Sequence, residues 1–213
     1  MPVVWFIRHG ESESNANLRT KHPADSALTE LGVWEAERIA RAFERAPDLF
    51  VVSPFLRARQ TAVPTLTQFP HVPVETWPVE EFTYLDPVHY DGTTGEERGP
   101  AALAYWERKD PFYKDGNVGE SFAELVERVT AVIAQLQQRP EPFIAMFSHG
   151  LFLRALLFCL LGGRVEATPE SMRRYSHFVR AVHMPNGAIL QANFTAEATS
   201  LFAGFRAEHL VDD

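Results

Sequence analysis

The sequence alternates short apolar segments with longer amphipathic ones, and this alternation constrains the fold more than any other feature. Largely apolar runs at 3–7, 49–53 and 143–147 are rich in β-branched and aromatic residues, which predicts strands buried on both faces. A strand at 72–76 is expected at a sheet edge, because Pro73 cannot donate to a ladder. Strands that alternate with helices require right-handed crossovers, so we predict an α/β fold with a mostly parallel sheet.

Two helices are predicted in the N-terminal half. Thr29 is the expected N-cap of a helix that ends near Arg45. The expected inward face of this helix consists of Val33, Ala36, Ala40 and Phe43. Pro54 suits the first turn of a second helix, which should kink or stop near Pro64.

The C-terminal half predicts two further helices and a hairpin. Ser121 and Glu124 have the spacing of a capping box, which predicts a helix. Its expected inward residues are Phe122, Leu125, Val129, Val132 and Leu136. An apolar helix should follow His149 and run to 161, and segments 188–194 and 201–205 should pair at one end of the sheet. The intervening region 77–119 is typical of mixed short helices and loops.

Composition limits the number of domains and the class of ligand. The 213 residues contain no Gly/Ser linker or low-complexity run, so one domain spanning 1–213 is expected. The formal charge of −8 and the lack of a basic run argue against a nucleic-acid partner. An anionic ligand would therefore have to be held by a few arginines that converge in a pocket.

The cysteine content and the N-terminus predict the compartment. Cys159 is the only cysteine and lies in an apolar segment, so we expect a buried, inert thiol and a reducing interior. The N-terminal apolar run is too short for a signal peptide, and Arg154 interrupts the longest apolar run. We expect a cytoplasmic protein with no membrane partner. The oligomeric state is left open, with a homo-oligomer as one possibility.

Polar side chains follow three of the predicted buried strands. Arg8 and His9 follow the first, Arg57 lies just after the second, and His149 with Gly150 follows the late strand. Any one of these signals alone is more typical of a surface turn or an exposed helix residue. Parallel strands place their carboxyl ends at one edge of a sheet, where ligands bind. Three such signals at equivalent positions therefore indicate a single site.

These segments resemble a known family. Residues 8–15 read Arg-His-Gly-Glu-Ser-Glu-Ser-Asn and resemble the signature of the histidine phosphatase, or phosphoglycerate-mutase-like, superfamily. The resemblance continues, in the family's order, through 28–32, 53–62, 119–121 and 148–150. It implies a three-layer fold in which helices flank a mostly parallel central sheet. It also implies a phosphatase that acts on a small phosphorylated metabolite.

The resemblance also implies roles for individual residues. His9 is similar to the histidine that becomes phosphorylated, and Glu81 to the carboxylic proton donor, with Glu80 as the alternative. The catalytic residues implied are His9, Glu81, His149, Arg8 and Arg57. The phosphate-binding residues implied are Arg8, Asn15, Arg57, His149 and Gly150.

Elementary chemistry supports a reaction without a metal or another cofactor. Phosphoryl transfer spreads negative charge over three oxygens, which two guanidiniums and an imidazole can stabilise. Nearby cations also keep His9 neutral and nucleophilic. No His-x-x-x-His pair or cysteine cluster indicates zinc, and no glycine-rich loop indicates a nucleotide.

Two alternatives remain open at this point. One is a non-catalytic protein of the same fold that binds a phosphorylated ligand. The other is a phosphoglycerate mutase, although segment 16–25 lacks the aromatic and glycine elements of mutases and residues 82–84 read Phe-Thr-Tyr rather than Arg-His-Tyr. Substrate specificity is expected to depend on 77–119 and 164–183, where the resemblance is weakest.

Overall fold

The structure is a computed structural model that describes residues 2–194 and 199–211. Across these residues a mixed sheet has the strand order β3-β2-β4-β1-β5-β6. The strands are β1 (Val3–Arg8), β2 (Leu49–Val52), β3 (Val74–Thr76), β4 (Phe143–Ser148), β5 (Ile189–Phe194) and β6 (Thr199–Arg206). The first four strands in this order are parallel, and β5 and β6 are antiparallel to their neighbours. The mostly parallel sheet, the edge position of β3 and the terminal hairpin are confirmed.

Helices cover both faces of the sheet. They are α1 (Glu30–Arg41), α2 (Leu56–Gln68), α3 (Gly95–Arg108), α4 (Phe122–Gln137), α5 (Gly150–Gly162) and α6 (Pro169–Ala181). Side chains of β1 alternate between two apolar cores: Val4 and Phe6 pack with α4 and α5, whereas Ile7 packs with α1 and α2. This division produces the expected three layers. No helix in the described part of the chain is both long and apolar enough to cross a membrane.

The structure confirms the inward face of α4 and corrects that of α1. All five predicted inward residues of α4 are buried. In α1, Ala36 and Ala40 are buried, but Val33 is 49% exposed and Ile39 is fully buried instead. The helix ends at Arg41 rather than near Arg45, and Phe43 is buried just beyond it. The inward face of α1 therefore includes Ala36, Ile39 and Ala40, at i, i+3 and i+4, and leaves Val33 outside it.

The prolines near α2 behave differently from the prediction. Pro54 precedes the helix, whose N-cap is Phe55, and the helix continues past Pro64 to its end. An internal proline costs about 3 kcal/mol because one backbone hydrogen bond is lost. Ala58, Ala62 and Thr65 are buried on this helix, and their packing outweighs that cost.

Two helices were not predicted. Region 77–119 contains α3, which has 14 residues and is longer than the short helices expected there. Its start carries a complete capping box between Thr94 and Glu97. Helix α6 begins with Thr168 as N-cap and Pro169 in the first turn. Both N-terminal signals are visible in the sequence, but an internal Pro100 and a polar composition obscured the helices.

Candidate active site

Three strand ends meet at one edge of the sheet. The backbone of His9 donates to Ser148 O at 3.0 Å, and that of Ser53 donates to Phe147 O at 3.0 Å. These bonds extend the β1–β4 and β2–β4 ladders by one residue. The His9 and His149 ring centroids lie 5.0 Å apart. The sheet therefore brings the three polar segments together, as their positions after the strands predicted.

His9 is held in one tautomer. Its Nδ1 lies 2.7 Å from Gly10 O, and because a carbonyl can only accept, Nδ1 carries the proton. Its Nε2 accepts from Arg57 Nε at 3.0 Å, so the lone pair is on Nε2. The side chain is only 2% exposed. This is the protonation state that a histidine nucleophile requires.

The surroundings of His9 favour its neutral form. Burial lowers the pKa of His9 well below its usual value, and the charges of Arg57 and Arg8 lower it further. The pKa of His149 is also held well below its usual value, first by burial and then by Arg57. Both imidazoles are therefore neutral at physiological pH.

Two guanidiniums lie near His9, one buried (Arg57) and one half-buried (Arg8). Arg57, on the first turn of α2, donates from Nη1 to Pro23 O at 2.6 Å and is 5% exposed. Burial lowers its pKa to about 10, so it remains charged at neutral pH. Arg8, at the end of β1, donates to the carbonyl of Met184. The two side chains place positive charge around the His9 ring.

Two donors in this group have no partner among the described residues. One is Arg8 Nε and the other is His149 Nδ1. His149 Nε2 lies 2.7 Å from Ser53 Oγ, which also accepts from the backbone of Phe55. The Ser53 hydroxyl can donate its proton to Nε2, and in that tautomer of His149 the hydrogen is on Nδ1. Arg8 Nε and, in this tautomer, His149 Nδ1 are buried donors without a partner, which is costly, and a bound phosphate would satisfy both.

Glycines permit close approach at two points of the site. A Cβ on Gly10 would lie 2.5 Å from Gly32 O, so the loop after β1 and the start of α1 contact through their backbones. A Cβ on Gly150 would lie 3.0 Å from Arg8 Nε. Gly150 thus allows the guanidinium of Arg8 to pack against the start of α5.

Helix α2 ties two motifs together. Thr61 lies one turn after Arg57, accepts from the Gly10 backbone at 3.1 Å and donates to Arg57 O at 2.7 Å. Gln60 accepts from the Leu28 backbone at 2.8 Å. Positioning roles for Ser53, Gln60 and Thr61 were not predicted, although all three lie within the family motif at 53–62. The i, i+4 spacing of Arg57 and Thr61 was the available signal.

The structure distinguishes Glu81 from Glu80. Glu81 Oε1 accepts from the Leu151 and Phe152 backbones at 2.9 and 3.1 Å, at the N-terminus of α5. Glu81 lines the same cleft as His9, whereas Glu80 lines an adjacent one. An oxygen of Glu80 is buried without a partner in the described chain. Glu81, and not Glu80, therefore lines the cleft that contains His9.

Asn15 lies at the mouth of the site. Its Oδ1 accepts from Ser12 Oγ at 2.9 Å and from Asn186 Nδ2 at 3.0 Å. The amide oxygen is therefore occupied, which directs the NH₂ group away from these partners. Asn15 is exposed and lines the cleft with His9 and Arg57. This position suits a contact with a bound phosphate.

The cleft has a volume of about 250 Å³. Besides His9, Arg57 and Glu81, the cleft is lined by several polar and aromatic side chains. These are Thr20, Lys21, Tyr84, Tyr90 and Arg98. The volume limits the ligand to a small molecule.

The chemistry of the site favours an anion over a metal ion. Ligand atoms of His9, Glu81 and His149 lie within 4.8 Å of one another. The charges of Arg57 and Arg8, however, lie close enough to lower the pKa of His9 and oppose a nearby cation. Cys159, on α5, is buried, and burial raises the pKa of its thiol to about 11. It is therefore an inert thiol, as expected.

Comparison with known sequences agrees with the motifs. The model of the histidine phosphatase superfamily (branch 1) matches residues 4–193. A protein named probable phosphoglycerate mutase GpmB, from Enterobacter sp. (strain 638), is 32% identical over 185 residues, which covers 76% of each chain. Its namesake from Escherichia coli O139:H28 is 30% identical over 171 residues, with the same coverage.

Comparison with solved structures agrees with the fold. A phosphoserine phosphatase from Entamoeba histolytica, solved with 3-phosphoglyceric acid, has a TM-score of 0.74 at 21% identity and covers 99% of this chain and 100% of its own. A mycobacterial glucosyl-3-phosphoglycerate phosphatase gives 0.73 at 23% identity, covering 98% and 100%. The α-ribazole phosphatase of Shigella flexneri gives 0.72 at 23% identity, covering 93% and 94%. The match to the family model over residues 4–193 and the relatives at 30–32% identity show that the chain belongs to the histidine phosphatase superfamily, and the fold and the strand-end geometry agree.

Proposed function

We propose that the protein is a phosphomonoester hydrolase that needs no metal and acts through a phosphohistidine at His9. The observation that carries the proposal is the neutral His9, whose unprotonated Nε2 accepts from the buried Arg57 and whose pKa is lowered further by the charge of Arg8. A buried imidazole with this tautomer can attack phosphorus without first losing a proton. The guanidiniums supply the charge that a metal ion supplies in other phosphatases.

In the first step, His9 Nε2 attacks the phosphorus atom of the ester. The Nε2–P bond forms as the bond from phosphorus to the leaving oxygen breaks, and Glu81 transfers its proton to that oxygen. The positive charge that develops on the ring is stabilised by the Nδ1–H hydrogen bond to Gly10 O. Arg8, Arg57 and His149 donate to the phosphoryl oxygens, with Asn15 and the start of α5 at Gly150 as further contacts.

In the second step, water replaces the imidazole. The Glu81 carboxylate, now ionised, accepts a proton from water as the oxygen attacks phosphorus and the Nε2–P bond breaks. His9 returns to its neutral form, Glu81 regains its proton and inorganic phosphate leaves. The cycle consumes one water and one ester and requires no other reagent.

Turnover by the purified protein distinguishes this proposal from a binding protein. Hydrolysis of p-nitrophenyl phosphate should be catalysed by the native chain and abolished by His9→Ala. His22→Ala is the matched control, because His22 is an exposed histidine near the adjacent cleft. A native chain that binds phosphate but releases none from any ester would support the non-catalytic alternative.

Hydrolysis is favoured over mutase activity, although the curated relatives described above are named as mutases. A mutase must retain its substrate until the phosphoryl group returns, and segment 16–25 and residues 82–84 lack the family's mutase elements. With 3-phosphoglycerate, we expect inorganic phosphate rather than 2-phosphoglycerate. Isomerisation faster than phosphate release would show that the chain is a mutase.

Two further cations in the lining of the cleft favour a substrate with a second acidic group. Lys21 and Arg98 both line it, and the hydrogen bonds of Arg98 to Thr93 O and Oγ1 use only its Nη1. Phosphoserine and phosphoethanolamine differ by one carboxylate and form a matched pair. We expect a higher kcat/KM for phosphoserine, and Arg98→Gln should remove most of the difference. Equal values for the native protein would contradict this substrate class.

We also propose that the chain forms one domain and acts in the cytoplasm. Both proposals rest on composition: no linker divides the sequence, and Cys159 is the only cysteine. Limited proteolysis that releases no stable fragment would support the first, and fractionation of cells would test the second.

A further inference from the structure

Glu81 lies in a segment that belongs to neither a helix nor a strand. Residues 77–84 have no regular secondary structure, yet a proton donor must be held within a few tenths of an ångström of the leaving oxygen. The backbone bonds from α5 fix one carboxylate oxygen of Glu81. They do not fix the backbone from which the side chain extends.

Arg128, on α4, binds the segment on the N-terminal side of Glu81. Its Nη1 donates to Pro78 O at 3.1 Å and to Glu80 O at 3.0 Å. Its Nε and Nη2 form a bidentate pair with Glu120 at 2.9 and 2.8 Å. The side chains of Arg128 and Glu120 are 13% and 19% exposed, so the pair is largely protected from solvent.

Glu120 binds the same segment on the C-terminal side. Its backbone donates to Thr83 O at 2.8 Å. The guanidinium of Arg128 also lies 4.8 Å from the centre of the Phe152 ring, and the Phe152 backbone donates to Glu81. The Arg128–Glu120 pair thus contacts segment 77–84 on both sides of Glu81. It also contacts Phe152, whose backbone donates to the Glu81 carboxylate.

We propose that Arg128 and Glu120 are positioning residues that hold Glu81 in place to protonate the leaving group. Arg128 and Glu120 line the adjacent cleft and not the one that contains His9, so we assign them a role that acts through Glu81. The inference rests on the proposed function, because it assumes that Glu81 is the acid. It assigns a task to Glu120 in the 119–121 motif, which the reaction steps do not use.

The test compares leaving groups in single-turnover phosphorylation of the protein. Glu81→Gln should slow transfer from an alkyl phosphate by about 10²–10⁴-fold and from p-nitrophenyl phosphate far less, because p-nitrophenolate leaves without a proton. Arg128→Gln should reproduce this selectivity with a smaller loss of about ten- to a hundredfold on the alkyl ester. KM should change little. In the double variant, Arg128→Gln should slow transfer from the alkyl ester no further than Glu81→Gln does alone.

Two variants separate positioning from other effects. Arg128→Lys keeps the positive charge but loses the guanidinium that binds Glu120 and the backbone at the same time. It should therefore show the same slow transfer from the alkyl ester as Arg128→Gln. Arg139→Gln removes a comparable arginine that pairs with Glu75 and Glu141 before β4, and it should not change the dependence on the leaving group. Thermal unfolding of each variant identifies any that fail to fold, and Glu120→Gln then replaces Arg128→Gln.

The outcomes are distinguishable. If Arg128→Gln slows both esters equally, or if Arg128→Lys restores the alkyl rate, the positioning role is wrong while Glu81 remains the acid. If Glu81→Gln shows no dependence on the leaving group, the proposed acid is wrong and the inference fails with it.

Discussion

At the scale of single residues, burial determines how the two histidines respond to pH. His9 and His149 are neutral in the folded protein because burial and neighbouring arginines lower their pKa values. In the unfolded chain each histidine binds a proton below about pH 6.5. Acid therefore favours the unfolded state, and stability is lost as the pH falls through the unfolded pKa.

This linkage predicts the behaviour of His149→Gln. Each buried neutral histidine should lower the free energy of unfolding by up to about 1.4 kcal/mol for each pH unit below 6.5. Between pH 6.5 and 5 the loss is up to about 2 kcal/mol. The variant should therefore lose less stability than the native protein over this range, as measured by denaturant unfolding at several pH values. An identical pH dependence would show that His149 is protonated in the folded state.

The residues of the site were predictable to different degrees. Arg8, His9 and His149 could be identified because they lie directly beside buried strands, whose ends must coincide in a parallel sheet. Ser53 and Thr61 were missed as positioning residues because their partners are distant in sequence. A hydroxyl that orients an imidazole or a backbone amide cannot be recognised until the chain is folded.

At the scale of secondary-structure elements, α2 joins the nucleophile's loop to one of its arginines. Thr61 accepts from the Gly10 backbone, and Thr61→Val would leave that buried amide unpaired at a cost of about 1–3 kcal/mol. Phosphorylation of His9 should also slow, because the loop moves. The exposed Thr67 of the same helix bonds only within it, so Thr67→Val is the matched control for denaturant unfolding and activity. Equal effects would contradict the special role of Thr61.

The start of α5 offers a second test. Gly150→Ala places a methyl group 3.0 Å from Arg8 Nε, so the guanidinium must shift and kcat/KM should fall about tenfold while the fold persists. Gly99→Ala, inside α3 with nothing within 4 Å, should instead stabilise the protein by about 0.5–1 kcal/mol. Unchanged turnover in Gly150→Ala would show that Arg8 does not bind the phosphate in this geometry.

The strands and α4 were predicted well because their burial is expressed as an unbroken or periodic apolar pattern. The structure assigns α3 and α6 to polar stretches, where only capping residues marked the helices. Their stability comes largely from packing against other elements, as in the α3–α6 and α5–α6 contacts, which a local sequence pattern does not encode.

At the scale of the whole molecule, the proposed reaction takes its positive charge from the arginines that the fold brings together. A chain with a net charge of −8 concentrates Arg8 and Arg57 at one sheet edge. Activity should therefore survive prolonged dialysis against a chelator, measured as phosphate release from p-nitrophenyl phosphate with and without added Mg²⁺ or Zn²⁺. Complete loss of activity that only a divalent metal restores would mean that the arginines do not supply the required charge.

The most direct measurement for the account as a whole is the identification of the phosphorylated residue. Native protein is mixed briefly with a labelled phosphomonoester, quenched in alkali and digested, and the phosphopeptide is sequenced by mass spectrometry. We predict an acid-labile, alkali-stable phosphate on His9 that forms within the first turnover and is absent from His9→Ala. Phosphate on another residue, or turnover with no phosphorylated intermediate and full activity in His9→Ala, would contradict the account.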